Sequence, residues 1–374
     1  MAEPVVLIEE HDAAAGGFKV GVATLNAPAA LNALNLSMIR ALHEQLRQWA
    51  DDPHVACVLL QGAGDKAFCA GGDVRSLHAA IAAHGGRPAP NPQAQAFFGE
   101  EYRLDHHIHT HSKPIVVWGG GIVMGGGLGL MAGASHRVVT ETSRIAMPEV
   151  AIGLFPDVGG SWFLRRMPGR TGLFLGLTGA PLAAADALYT GLADHLLAEA
   201  QRPTLLPALL ALPWQRQQGG QHNRRLLSRL LGSLAQPRPA SVVQAHQAVI
   251  DEMTAGDALP AVVERITGYA GDSAWLRRAA AALAAGSPTS MALVWEAWRR
   301  SEGRTLAEML RMELVLALQC CAHPDFAEGV RARLIDKDNT PRWTPATLDE
   351  VSLAWVARHF ETPAGWPGYP LADL

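Results

Sequence analysis

Two acidic residues are set among apolar neighbours. Glu149 follows Pro148, and Asp157 comes eight residues later, between Pro156 and the run Val158-Gly159-Gly160. Met, Val, Ile, Leu and Phe flank both, so both are candidates for burial. Burial raises a carboxyl pKa, and a second carboxylate nearby raises it further. Such a pair can divide proton donation and acceptance between its members. An Asp after Pro also suits a turn or a cap, and residue type leaves both roles open. Glu101, in Phe97-Phe98-Gly99-Glu100-Glu101-Tyr102, is a third candidate acid. One of two adjacent Glu on a helix can equally be solvated.

Two glycine-rich turns could supply the complementary chemistry. One is Ala67-Phe68-Cys69-Ala70-Gly71-Gly72-Asp73-Val74-Arg75, and the other runs from Gly119 to Gly129. Each follows a strand-like run, and the second leads into a helix. Glycine permits positive φ and lets backbone approach a ligand closely. A helix N-terminus adds unpaired N–H groups and the positive end of a dipole. Two such turns side by side could aim two N–H groups at one carbonyl oxygen. In an oxyanion hole of this kind one donor contributes about 2.7–4 kcal/mol. Simple tight turns are the alternative. Neither run has the dinucleotide or P-loop glycine spacing.

These residues need elements to hold them. Val5–Glu10 and Phe18–Leu25 read as strands joined by a Gly-containing turn. Asn35 precedes a helical pattern of Met38, Ile39, Leu42 and Leu46. Val55–Leu60 and Ile115–Trp118 read as buried strands, with further strands at Arg137–Thr140 and Arg144–Met147. A helix is expected over Gln93–His107, after a Pro/Ala/Gly-rich loop from about Ala83 to Pro92, and another over Leu128–Ala134. Strand–helix alternation with Gly-rich turns after strands predicts a layered α/β core. Near residue 200 the character changes to Ala/Leu/Arg helical patterns, after a joint rich in Pro. The expected organisation is a core over 1–200 carrying the site and a mainly helical region over 201–374. Ser287-Pro288 reads as a helix start.

At 374 residues the chain exceeds the roughly 250–300 at which one core stops growing. A formal net charge of −4 gives no global attraction to nucleic acid or anionic membrane. No uncharged apolar run reaches the roughly 18 residues of a membrane span. Cys57, Cys69, Cys320 and Cys321 form no zinc or disulfide spacing, which reads as a reducing compartment. The N-terminus lacks the basic and apolar pattern of a secretory or transit segment, so a cytoplasmic location is expected.

The run 67–75 resembles the first signature of the crotonase, or enoyl-CoA hydratase/isomerase, superfamily, and Met124-Gly125-Gly126-Gly127 resembles the second. Ala146–Gly160 is similar to the 3-hydroxyisobutyryl-CoA hydrolase branch. So are Leu177-Thr178-Gly179, Ser287-Pro288-Thr289-Ser290 and the run from Phe326 to Asp338. The likeness covers most of the chain and is weak from about 200 to 285. It implies an α/β spiral of repeated ββα units with a helical C-terminal region. It implies an acyl-CoA substrate, no metal, no cofactor beyond the coenzyme A of that substrate, and assembly as a trimer or hexamer. The amides of Gly72 and Gly126 would form the oxyanion hole. The Ala70 carbonyl would receive the adenine amino group, and Arg75 would lie near the CoA phosphates, unless it is a solvated helix residue. Glu149 would act as nucleophile or as base, Asp157 would bind the substrate hydroxyl or shuttle a proton, and Glu101 would face the acyl pocket. Hydratases of the superfamily carry a second glutamate at the position of Gly129, which has no side chain. Asp157 stands where hydratases usually have a small or neutral residue. Loss and gain both point to hydrolysis of 3-hydroxyisobutyryl-CoA in valine breakdown. A hydratase or isomerase, and a CoA-binding protein without catalysis, are the alternatives.

Other signals read as structural. His106-His107-Ile108-His109-Thr110-His111 reads as an exposed helix end rather than a metal site, Cys320-Cys321 as buried helix, and Arg224-Arg225 and Arg277-Arg278 as solvated faces.

Overall fold

A computed structural model describes residues 3–14, 16–85, 90–216, 221–362, 366 and 371–374. By contact these group into two compact units. Unit 1 comprises Met1–Gly72, Leu104–Ile145 and Leu182–Ser241; unit 2 comprises Asp73–Arg103, Ala146–Pro181 and Val242–Leu374. Residue 200 falls inside a unit 1 segment, so the contact units and the change in sequence character near 200 are different divisions of the chain.

Unit 1 is built on a six-stranded sheet of β1 (Val6–Asp12), β2 (Lys19–Leu25), β3 (Val55–Gly62), β5 (Ile115–Gly119), β7 (His136–Val139) and β9 (His195–Leu196), in that order. Only β1 runs antiparallel to its neighbour; β2, β3, β5, β7 and β9 pair in parallel. Parallel strands covered on both faces are continuous apolar runs, and β3 and β5 are buried almost throughout. One set of strand residues, including Val22, Leu59 and Trp118, packs with Leu205, Leu209 and Leu227. Helix α1 (Leu36–Asp51) begins where the Asn35 side chain accepts from Met38 N, 2.9 Å away. Its Trp49 ring lies over Gly21, where a Cβ would come within 2.7 Å of the indole.

Three short strands, β4 (Ala67–Cys69), β6 (Ile122–Met124) and β8 (Arg144–Ala146), form a second sheet. In chain order β3 and β4 lead to helix α2 (Val74–His84). β5 and β6 lead to α4 (Gly126–Gly133), and β7 and β8 lead to a 3-10 turn. The first strand of each set joins the large sheet and the second joins the small one, the pairing pattern of the expected ββα spiral. The predicted helix over Gln93–His107 is α3 (Pro92–Thr110). The loop expected from about Ala83 to Pro92 falls partly on residues 86–89, outside the described residues.

The expected helical C-terminal region is divided: Arg202–Leu210 and Gln221–Leu234 belong to unit 1, and the helices from residue 242 on, including Pro288–Arg300 and Leu306–Ala322, belong to unit 2. Ser287 caps Pro288–Arg300 by accepting from Ser290 N at 3.0 Å. Cys320 and Cys321 are buried in Leu306–Ala322. The histidine run is only in part the exposed end that its polarity suggested: His109 and Thr110 are exposed and the rest is covered to differing degrees. His111 is buried, with ring nitrogens within 3.1 Å of the Leu46 and Lys113 carbonyls, and His107 stacks on it. Among the described residues no helix is long and apolar enough to cross a membrane.

The second residue of α4 packs directly on β4. A Cβ at Gly127 would overlap the Cys69 carbonyl oxygen and lie 2.8 Å from Cys69 Cβ. Gly127→Ala is expected to lower unfolding free energy by about 1–3 kcal/mol, read by urea and thermal denaturation. An unchanged midpoint would show that this contact is absent.

Candidate active site

The acids of unit 2 are placed by two turns. Glu149 opens the 3-10 turn Glu149–Ile152, which closes at Gly153 with φ 71°. A Cβ at Gly153 would overlap the Asp325 carbonyl, and one at Gly329 would overlap Ile152 backbone. Ser287 N donates to the Val150 carbonyl at 3.0 Å. Ser287 Oγ donates to Asp325 Oδ2 at 2.5 Å, and Thr344 N donates to Asp325 Oδ1 at 2.8 Å. Three sequence motifs far apart in the chain thus meet to seat one glutamate.

Asp157 lies in the second turn, in which Gly160 N donates to the Asp157 carbonyl at 2.6 Å. The next two residues are left-handed: Val158 at φ 52° and Gly159 at φ 84°. For glycine this is free. For a β-branched residue it is an outlier, costing roughly 1–2 kcal/mol. Glu313, fully buried in the helix Leu306–Ala322, holds the turn from beneath. Gly159 N donates to its Oε2 at 2.7 Å and Ser161 N to its Oε1 at 2.9 Å. Tyr102 Oη, also buried, donates to Asp157 Oδ2 at 2.7 Å. Glu101 precedes it on α3 and is 2% exposed, against 5% for Glu149 and 4% for Asp157. Glu101 Oε1 and Glu149 Oε2 have no hydrogen-bond partner among the described residues.

Burial dominates the electrostatics. It holds Glu149 well above the usual carboxylate range, and the charges of Asp157 and Glu101 add to the rise. It does the same to Glu101, again with Asp157 adding to it. Asp157 is raised too, but the Tyr102 hydroxyl favours its ionised form and limits the rise to about 6. Glu313 is pushed up to about 8 by burial, against the opposing pull of the two amides. Burial thus disfavours the anions of Glu149 and Glu101, while the Tyr102 hydroxyl favours that of Asp157.

The glycine turns lie in unit 1. Gly71, at φ 109°, approaches the second turn so closely that a Cβ there would be 3.3 Å from the Met124 carbonyl oxygen. Gly72 bridges to Leu34. Gly125 caps α4 at φ 48°, and Gly126 is the first helical residue. The Leu128 and Gly129 amides bond back to Gly125 O, and helical geometry leaves the Gly126 N–H without an intrahelical acceptor. The Ala70 N–H donates to Leu31 O at 3.0 Å. Arg75 is exposed on the first turn of α2, which is in unit 2 and is capped by Asp73.

The structure thus gathers Glu101, Glu149 and Asp157 in one unit and Ala70, Gly72 and Gly126 in the other. Tyr102 and Glu313 were not anticipated. Tyr102 sits beside Glu101 in sequence without any spacing to mark it. Glu313 had a visible signal: it is an acid inside the apolar helix run Leu314–Leu318 adjoins.

A family model described as enoyl-CoA hydratase/isomerase matches residues 20–360. The mitochondrial 3-hydroxyisobutyryl-CoA hydrolase of Danio rerio is 40% identical over 349 residues, covering 92% of this chain and 87% of its own. That of Homo sapiens is 38% identical over 343 residues, 91% of this chain and 86% of its own. A carnitinyl-CoA dehydratase structure from Mycobacterium thermoresistibile is similar at TM-score 0.84 and 36% identity, covering 98% of this chain and 99% of that one. An enoyl-CoA hydratase structure from Rhodobacter sphaeroides 2.4.1 is similar at TM-score 0.80 and 36% identity, covering 96% and 98%. The cytoplasmic location expected from the N-terminus is overturned, because these curated relatives are mitochondrial enzymes. Cellular addresses are read by receptors, and the residue pattern at one end of a sequence does not by itself report them.

A carboxyl with a raised folded pKa stabilises the fold fully below its unfolded pKa, and that contribution is lost as pH rises through the folded value. For Glu313 the window runs from the ordinary 4.5 up to about 8. Across it the unfolding free energy of the wild type should fall relative to Glu313→Gln, with a limiting slope of roughly 1.4 kcal/mol per pH unit. Denaturant titrations of both proteins at stepped pH check this; parallel curves would refute the raised carboxyl.

Proposed function

Because this chain belongs to the enoyl-CoA hydratase/isomerase family, we propose that it hydrolyses a short 3-hydroxyacyl-CoA thioester. The substrate is 3-hydroxyisobutyryl-CoA, and the products are 3-hydroxyisobutyrate and coenzyme A, a step of valine breakdown. The observation that carries this reading is the buried acid group of Glu101, Glu149 and Asp157, two of whose members have an unpaired carboxyl oxygen. Curated relatives 37–40% identical to the chain are hydrolases of this substrate, which supports the same reading.

In this mechanism the Gly72 and Gly126 amides accept the charge that develops on the thioester oxygen. The Ala70 carbonyl and Arg75 hold the adenine and phosphates of coenzyme A. Glu149 must be ionised to act, and burial disfavours its ionised form. Asp157, whose ionised form the Tyr102 hydroxyl favours, is the base that takes the Glu149 proton, at a free-energy cost because Asp157 is the stronger acid of the two. The Glu149 carboxylate then attacks the thioester carbon, giving a mixed anhydride that water cleaves, or it takes a proton from a water that attacks directly. In either route the C–S bond breaks, and the Asp157 proton is available to the leaving thiolate. Glu101, whose protonated form burial favours, shapes the acyl pocket and in that form donates a hydrogen bond to the substrate hydroxyl.

One observation favours a second reading: two structural neighbours at 36% identity are named as a dehydratase and a hydratase. Addition of water across a double bond by two glutamates needs a carboxyl at the position of Gly129, a residue buried within α4.

Incubating the purified chain with 3-hydroxyisobutyryl-CoA should release free thiol, measured with a thiol-reactive chromophore, in step with 3-hydroxyisobutyrate. Glu149→Gln and Asp157→Asn should each lower kcat by about 10²–10⁴-fold while coenzyme A still binds. A changed enoyl absorbance without thiol would establish the hydratase reading instead. Tight coenzyme A binding with no turnover of any acyl-CoA would make the chain a binding protein.

A further inference from the structure

Among the buried acids that the mechanism leaves unused, Glu313 stands closest to the Asp157 turn through its hydrogen bonds. Glu313 sits in the interior of the helix Leu306–Ala322, is fully buried, and lies between Leu310 and Leu314, which are buried as well. No cation pairs with it among the described residues. Burying an acid without a cation is costly, so a helix would be more stable with an apolar residue there. What Glu313 does contact is specific. Its two oxygens accept separately from Gly159 N and Ser161 N, at 2.7 and 2.9 Å. Those amides bracket the turn that follows Asp157. That turn contains Val158 at φ 52° and Gly159 at φ 84°. A β-branched residue holds such a conformation only when its surroundings over-determine it. The side chain of Leu306, from the same helix, would meet a Cβ at Gly159 at 2.8 Å, so two residues of one helix act at Gly159.

We infer that Glu313 is a positioning residue for the hydrolysis: by accepting both amides it fixes the strained Asp157–Ser161 turn and thereby the place of the Asp157 carboxyl. This rests on the hydrolase reading above. Asp157 has a second support, the Tyr102 hydroxyl, which restrains one carboxyl oxygen. Glu313 acts on the other side, through the backbone. Gln at this position keeps one acceptor oxygen and sets an NH2 group against the second amide. Asp keeps the acid but is one methylene too short to reach both donors.

Thiol release from 3-hydroxyisobutyryl-CoA should be measured for the wild type, Asp157→Asn, Glu313→Gln, Glu313→Asp and the double variant Asp157→Asn/Glu313→Gln, with thermal midpoints for each. Glu313→Gln is expected to lower kcat on the order of 10²-fold with KM within about threefold, in protein that remains folded. Glu313→Asp is expected to fall between it and the wild type, and carries the test alone if Glu313→Gln does not fold. The decisive arm is the double variant. Acting through Asp157, the Glu313 change should slow Asp157→Asn by no more than about twofold, whereas a general packing role would slow both backgrounds alike. Normal kcat in Glu313→Gln, or losses that multiply in the double variant, would overturn the positioning role while leaving the hydrolase reading intact. A wild type that releases no thiol overturns that reading itself, and this inference with it.

Discussion

The carboxyl groups of Glu101, Glu149, Asp157 and Glu313 and the Tyr102 phenol are buried in unit 2, and among the described residues no ion pair balances them. Glu101, Glu149, Asp157 and Glu313 are each no more than 5% exposed, and none has a basic partner among the described residues. An isolated carboxylate in such a setting is so unfavourable that the group keeps its proton instead. The protein relaxes this penalty at selected atoms. A phenol hydroxyl favours the anion at Asp157, and two backbone amides do so at Glu313. Among the described residues no such donor reaches Glu101 Oε1 or Glu149 Oε2. Members of one cluster thus differ in acidity because their hydrogen-bond donors differ. That difference lets neighbouring acids take different parts in a reaction.

The backbone around these acids is shaped by positions where side chains are excluded. Gly153 and Gly329 let the Glu149 turn lie directly on backbone from the segment around Asp325. Asp325 in turn collects Ser287 Oγ and Thr344 N. The C-terminal helices are therefore part of the apparatus that seats Glu149. In unit 1 the same economy of side chains brings Gly71 against Met124 and Gly127 against Cys69, so that two loops from separate ββα repeats come to lie together. Val158 is the exception: a branched residue in a left-handed conformation, beside an acid and held by another acid from below.

Much of this was legible in the residues. The continuous apolar runs of β3 and β5 mark buried parallel strands, and the glycine clusters mark turns where backbone comes close. Asn35 and Ser287 mark helix starts. Glu149 and Asp157 were recognisable as buried acids from their apolar flanks. Local composition misled where burial came from elsewhere. The histidine run is polar and looked exposed, yet His111 is covered by residues remote in sequence, and its ring reaches the Leu46 carbonyl. Tyr102 gave no signal at all, because a tyrosine at that spacing is equally good as plain core.

By itself the sequence determined the order of elements, the family, and which acids and glycines could carry chemistry. Those properties follow from short-range rules of periodicity, turn residues and motif spacing, which any stretch of chain obeys whatever lies beside it. Only the tertiary structure decided which of those acids share an environment, which oxygens are left unpaired, and that Glu313 and Tyr102 reach the Asp157 turn. Each of these depends on contacts between residues separated by 55 positions (Tyr102 and Asp157) or 154 positions (Gly159 and Glu313). Desolvation, which sets the acidity of the cluster, is a property of the folded surroundings and of no residue alone.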